Sequence, residues 1–156
     1  MPELQKFAEG ISIIDRPPVR MLGVPLPTRM IIVKLSDGSL WVNSPVSVPI
    51  PVLDRIKALG PVRYLVAPTK LHIWRLEKWH VLFPEAELWI PQHKRNESKR
   101  LPFACILEGM LSPGWAGDLD PVVFKGNLFI QEVFFFHKRS RTLIVADFIQ
   151  NHPMEA

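Results

Sequence analysis

Cysteine is nearly absent: Cys105 is the only one among 156 residues. That excludes an intrachain disulfide and a zinc centre built on several thiolates. No histidine lies near it in sequence to activate the thiol, so it reads as a small buried residue. Long apolar runs are absent as well, none approaching the roughly 20 residues that span a bilayer. The first thirty residues carry Glu3, Lys6, Glu9, Asp15 and Arg16, which leaves no uncharged core for a secretory signal. A soluble, cytoplasmic protein without membrane association is expected. There is no glycine-rich loop to cradle phosphates and no G-x-S-x-G elbow to present a serine nucleophile. A large excess of one sign of charge is absent too. The formal net charge is +4, and much of the excess sits in H-K-R-N-E-S-K-R, His93 to Arg100. Neither that run nor K-R-S-R at Lys138 to Arg141 is interleaved with aromatics, so both read as solvated faces and nucleic acid is not expected as a partner.

What the chain does have is the patterning of a layered α/β protein. Its length fits one domain, residues 1–156, with room for a sizeable core. Hydrophobic residues make up 47% and charged ones 22%, ordinary globular values, while 16 scattered prolines point to many connections. Ile11 to Ile14 is a short apolar run closed by Asp15 and Pro17-Pro18. Met30 to Leu35 and Leu40 to Asn43 read as strands of a first hairpin, with Asp37-Gly38 as the tight turn. Val52 to Leu59 is a short amphipathic helix stopped by Gly60. Arg63 to Ala67 is too apolar to alternate, as expected of a strand covered on both faces. Ile73 to Phe83 reads as a helix ended by Pro84, and Glu87 to Ile90 as the next strand. Pro102 to Pro121 reads as an irregular loop. Asn127 to His137 and Arg141 to Asp147 form a hairpin whose Phe134-Phe135-Phe136 run calls for cover on both faces.

Three segments carry a resemblance to a known superfamily. G-S-L-W-V-N-S-P, Gly38 to Pro45, looks like a strand ending in a D-T-G-like turn, with Asn43 in place of aspartate. L-V-A-P-T-K-L-H-I-W-R, Leu65 to Arg75, looks like the strand and turn that hold T-H-x-H-x-D-H. S-R-T-L-I-V-A-D, Ser140 to Asp147, looks like the late strand ending in a metal-bridging aspartate. Together they resemble the N-terminal half of the metallo-β-lactamase superfamily, and more narrowly an uncharacterised, degenerate branch with most metal ligands replaced. The resemblance implies an α/β fold, a layered αβ(βα) sandwich with a mixed sheet, truncated to its N-terminal half. Either the second half is gone or a partner chain completes the sandwich.

In the T-H-x-H-x-D-H frame Thr69 and His72 are kept, Lys70 replaces the first histidine, Trp74 the aspartate and Arg75 the last histidine. A lysine ligates zinc only after losing its proton, and an arginine effectively never does. The candidate metal ligands that remain are His72, Asp147 and Glu132, with Thr69, Lys70, Arg75 and Asn43 as pocket candidates. A K-R-S-R loop pairs His137 with Thr142 and Phe135 with Ile144. That register puts Glu132 and Asp147 on one face at the far end, some 16 Å from His137. Glu132 and Asp147 would otherwise pair with Lys70 or Arg75, a side-chain cation standing where a metal stood.

The residues thus favour a metallo-β-lactamase-like module without dinuclear zinc chemistry, binding a small ligand or another protein chain. No cofactor and no catalytic residue are then assigned. The alternative is a mononuclear metal-dependent hydrolase of an ester, lactone or phosphodiester, using zinc or another divalent metal. Five tryptophans on a half-sandwich also predict self-association into a homodimer or larger homo-oligomer.

Overall fold

The computed structural model describes residues 3–21, 23–92, 101, 104–108, 113–124 and 131–149. The basic run at 93–100 and the tail residues Asn151 and His152 lie outside them. The larger sheet has seven strands in chain order. They are β1 (Gln5–Ala8), β2 (Ile11–Met21), β3 (Val24–Lys34), β4 (Leu40–Asn43), β5 (Val62–Val66), β6 (Glu87–Ile90) and β7 (Cys105–Ile106). The first four strands pair antiparallel, and β4 through β7 pair parallel. A second, three-stranded antiparallel sheet holds β8 (Leu119–Phe124), β9 (Glu132–His137) and β10 (Thr142–Ile144), with β9 central. The fold is mixed α/β, with few helices among the described residues.

Strand alternation explains the two cores. In β4, Leu40 and Val42 join Leu65 and Ala67 from the end of β5 on one face of the large sheet. Helices α1 (Ile50–Leu59) and α2 (Leu76–Leu82) cover that face with Val52, Ile56, Leu76 and Trp79. Val52 and Ile56 are four apart and so share one stripe of α1. The opposite face carries Trp41, Tyr64, Val66 and Trp89, against which the second sheet places Trp115, Leu119, Val133, Phe135 and Ile144. Trp41 and Phe135 meet edge-on with centroids 4.8 Å apart, and Trp115 lies 5.7 Å from Phe135, a geometry that adds to the burial of aromatic rings. Gly38, at φ +84°, makes the β3–β4 turn, as its residue type predicts.

Several expectations need correcting. The first hairpin is not β3–β4 alone. β2 runs to Met21 through Pro17-Pro18 and pairs along most of β3, and β1 adds an edge strand before it. The register shifts between Arg16 and Val19, a bulge at which proline's missing N–H removes nothing. The predicted helix at 73–83 is a 3₁₀ helix (Lys70–Arg75) followed by α2. The irregular stretch at 102–121 contains β7 and the start of β8. Finally, the outer face of the second sheet is only partly covered among the described residues: Phe134 is half-buried beside Phe124 and Phe148, but Phe136, Leu143 and Val122 are exposed. The hairpin register agrees with the loop argument, His137 opposite Thr142 and Phe135 opposite Ile144.

Candidate functional site

Parallel strands leave their carboxyl ends as the place where loops converge on a ligand, and the predicted residues gather there. Past the end of β5, Thr69 is fully buried and caps the 3₁₀ helix by accepting from the Leu71 amide at 3.2 Å. The same hydroxyl donates to Asp147 Oδ2 at 2.7 Å. One turn on, His72 Nε2 lies 3.1 Å from Asp147 Oδ1. Thr69 and His72 thus occupy both oxygens of the aspartate from a single short helix.

The aspartate is held from behind by Glu132. This carboxylate has no exposed surface and accepts three successive backbone amides. Ala146 N–H donates to Oε1, while Asp147 N–H and Phe148 N–H donate to Oε2 at 2.9 and 2.8 Å. The regular ladder of β9 and β10 stops at Phe135–Ile144, and the side chain of Glu132 continues the pairing where the backbone no longer does. Val133 N–H in turn bonds Pro68 O at 3.0 Å, which fixes the start of β9 against the loop bearing Thr69.

Burial alone would push the Asp147 carboxyl upward, but the His72 hydrogen bond and charge and the Thr69 hydroxyl outweigh it. The carboxyl is held below its usual range. Lys70 and Arg75 form no ion pair with Asp147 or Glu132 among the described residues. The expectation that they pair with these carboxylates is therefore corrected, because Thr69, His72 and backbone amides do so instead. Asn43 ends β4, almost fully buried, with its Oδ1 3.4 Å from Ser44 Oγ. His137 belongs elsewhere, bonded through Nδ1 to Ser140 Oγ at 2.6 Å.

A cleft of about 350 Å³ opens over this network, lined among others by Arg20, Ser44, His72, Trp74, Arg75 and Asp147. Of the four pocket candidates only Arg75 lines it directly, and Thr69 reaches it through Asp147. Asn43 and Lys70 stand outside its wall. The sequence reading missed the far wall, from Val19 to Arg29, because the prolines there suggested an ended strand. Gly23 between two β-prone segments was the signal that would have shown the hairpin.

Among the described residues, no three His, Cys, Asp or Glu side chains are grouped so as to hold a metal ion. His72 and Asp147 are brought together, while Glu132 points its oxygens at the amides of 146–148.

A layered sandwich with its site at the mouth of parallel strands is the architecture of a metallo-β-lactamase fold. The structure is similar to the crystal structure of a metallo-β-lactamase from Hirschia baltica, with TM-score 0.61 and 13% identity over 87% of this chain. The chain spans 66% of that protein, just under two thirds of its length. No curated protein matches the chain. Residues 18–156 match the family described as "Domain of unknown function (DUF4336)", and the chain belongs to that family.

Proposed function

We propose that this protein is a small-molecule-binding module of metallo-β-lactamase fold that works without the dinuclear zinc chemistry of that architecture. One observation carries the reading: the surviving carboxylates already have protein donors. Both oxygens of Asp147 and both of Glu132 accept hydrogen bonds from Thr69, His72 and three backbone amides. A divalent metal would have to displace charge-assisted bonds that contribute about 1.5–3 kcal/mol each. With Lys70, Trp74 and Arg75 at the superfamily's remaining ligand positions, no replacement donors are at hand among the described residues. The donor set does not fit a two-metal centre.

The second reading, a mononuclear metal-dependent hydrolase, has the closeness of His72 to Asp147 in its favour. Among the described residues it lacks a third ligand, since Glu132 is engaged with backbone. Elemental analysis of protein purified without added metal separates the two. Metal content far below one ion per chain, and no heat on zinc titration, is expected. A stoichiometric ion lost in His72→Ala and Asp147→Ala would overturn the proposal.

A further inference from the structure

The charges around the cleft do not balance. Asp15 and Arg29 face each other across β2 and β3 and form a two-pronged ion pair, 2.6 and 2.9 Å, so that guanidinium is already neutralised. Asp147 is engaged by His72 and Thr69. Arg20 and Arg75, both in the cleft wall, have no ion-pair partner among the described residues. Arg75 also has a buried Nε without a hydrogen-bond acceptor. Its guanidinium stacks on Trp74, 4.2 Å from the ring centroid, which orients the fork. Burial, and then the like charge of Arg16, pull Arg75 below its ordinary value, as expected where cations crowd together without a counter-charge. Burial of this kind is costly unless something anionic arrives.

The rest of the wall is of a different character. Val19, Leu26, Pro27, Pro45, Val46 and Leu71 make it mainly apolar, and Trp74 offers an exposed ring face. At about 350 Å³ the cleft falls within the range of small-molecule sites and is far larger than a bare inorganic anion requires. Ser44 adds a hydroxyl to the wall from a left-handed backbone, φ +54°, an uncommon conformation for a residue with a side chain. Among the described residues its Oγ has only a long 3.4 Å contact to Asn43, which leaves it able to turn towards a ligand.

We infer that the cleft takes a small organic anion, with a carboxylate or phosphomonoester head held by Arg20 and Arg75 and an apolar body lying against Trp74. The planar guanidinium fork matches both head groups, so the shared chemistry is the anionic oxygens. This rests on the small-molecule-binding reading above and specifies its ligand.

The test is calorimetric titration of the full chain with benzoate, phenyl phosphate and the neutral isostere benzamide. The two anions are expected to bind with dissociation constants on the order of 1 mM or tighter, more weakly as salt rises. Benzamide is expected to bind at least about tenfold more weakly, and Arg20→Gln and Arg75→Gln each to weaken the anions about tenfold. The tighter of the two anions identifies the head group. Arg20 is exposed, so Arg20→Gln keeps the test valid if Arg75→Gln folds poorly. Benzamide binding as tightly as benzoate, or anion affinity unchanged in Arg20→Gln, would overturn the anion inference and leave the binding module standing. No binding by any of the three probes would overturn the binding module itself.

Discussion

Replacing Glu132 by alanine should be among the most damaging single changes available near the cleft. The carboxylate is wholly buried and supplies the acceptors for the amides of Ala146, Asp147 and Phe148. Hydrogen bonds to a charged group contribute about 1.5–3 kcal/mol each, so simple addition gives an upper range of roughly 4.5–9 kcal/mol. The three residues are half-buried or exposed, and water will take over part of the pairing once the side chain is gone. A loss of roughly 3–5 kcal/mol is the expected outcome, comparable to breaking a buried ion pair and a large part of the 5–15 kcal/mol that holds a typical domain. Glu132→Gln keeps one oxygen but turns an NH₂ towards an amide donor, and should cost about half as much. Urea unfolding at pH 7 reads both directly. With m of about 2 kcal/mol/M, the midpoint should fall by roughly 1.5–2.5 M in Glu132→Ala. The measurement is repeated after dialysis against a chelator. A difference that persists without metal supports the backbone-cradle role. A difference under about 0.5 kcal/mol, or one that vanishes with the chelator, would refute it.

Three further outcomes follow from the same contacts. Thr69→Val removes the hydroxyl that bonds Asp147 at nearly constant volume and should cost about 1.5–3 kcal/mol at neutral pH, read by the same urea titration. Because the folded Asp147 carboxyl lies below its unfolded value, its contribution is complete above about pH 4 and is lost as pH falls through the lower folded value. The gap between wild type and Thr69→Val should accordingly narrow on acidification, and a gap that widens below pH 4 would contradict the assignment. Trp115→Ala, emptying the space between Trp41, Trp89 and Phe135, should cost roughly 3–5 kcal/mol by chemical denaturation, with near-ultraviolet dichroism reporting the loss of the aromatic cluster.

The legible parts of this fold share a cause. The continuous apolar run at Tyr64 to Ala67 marks a strand with a core on each side, and the structure divides it accordingly between the two clusters. Loop length fixed the β9–β10 register because antiparallel pairing is two-fold periodic. The β2–β3 hairpin was hidden because proline ordinarily ends a strand, whereas a bulge and a sheet margin tolerate it. The role of Glu132 was hidden for a deeper reason. Its partners are backbone N–H groups, identical at every non-proline position, so no residue type announces them. A sequence shows which carboxylates exist but not which main-chain donors the fold aims at them.

The same limit hides the partners of Lys70 and Arg75. Lys70 and Arg75 are cations adjoining Thr69 and His72 in sequence, and pairing them with Asp147 is the simplest electrostatic solution on paper. The 3₁₀ helix decides otherwise. Thr69 caps it and His72 lies one turn on, so these two meet the aspartate, while Arg75, at its end, is turned onto Trp74. The cleft thus holds a carboxylate satisfied by Thr69 and His72 and, among the described residues, a guanidinium without a counter-ion, and that imbalance is what a ligand with anionic oxygens would correct.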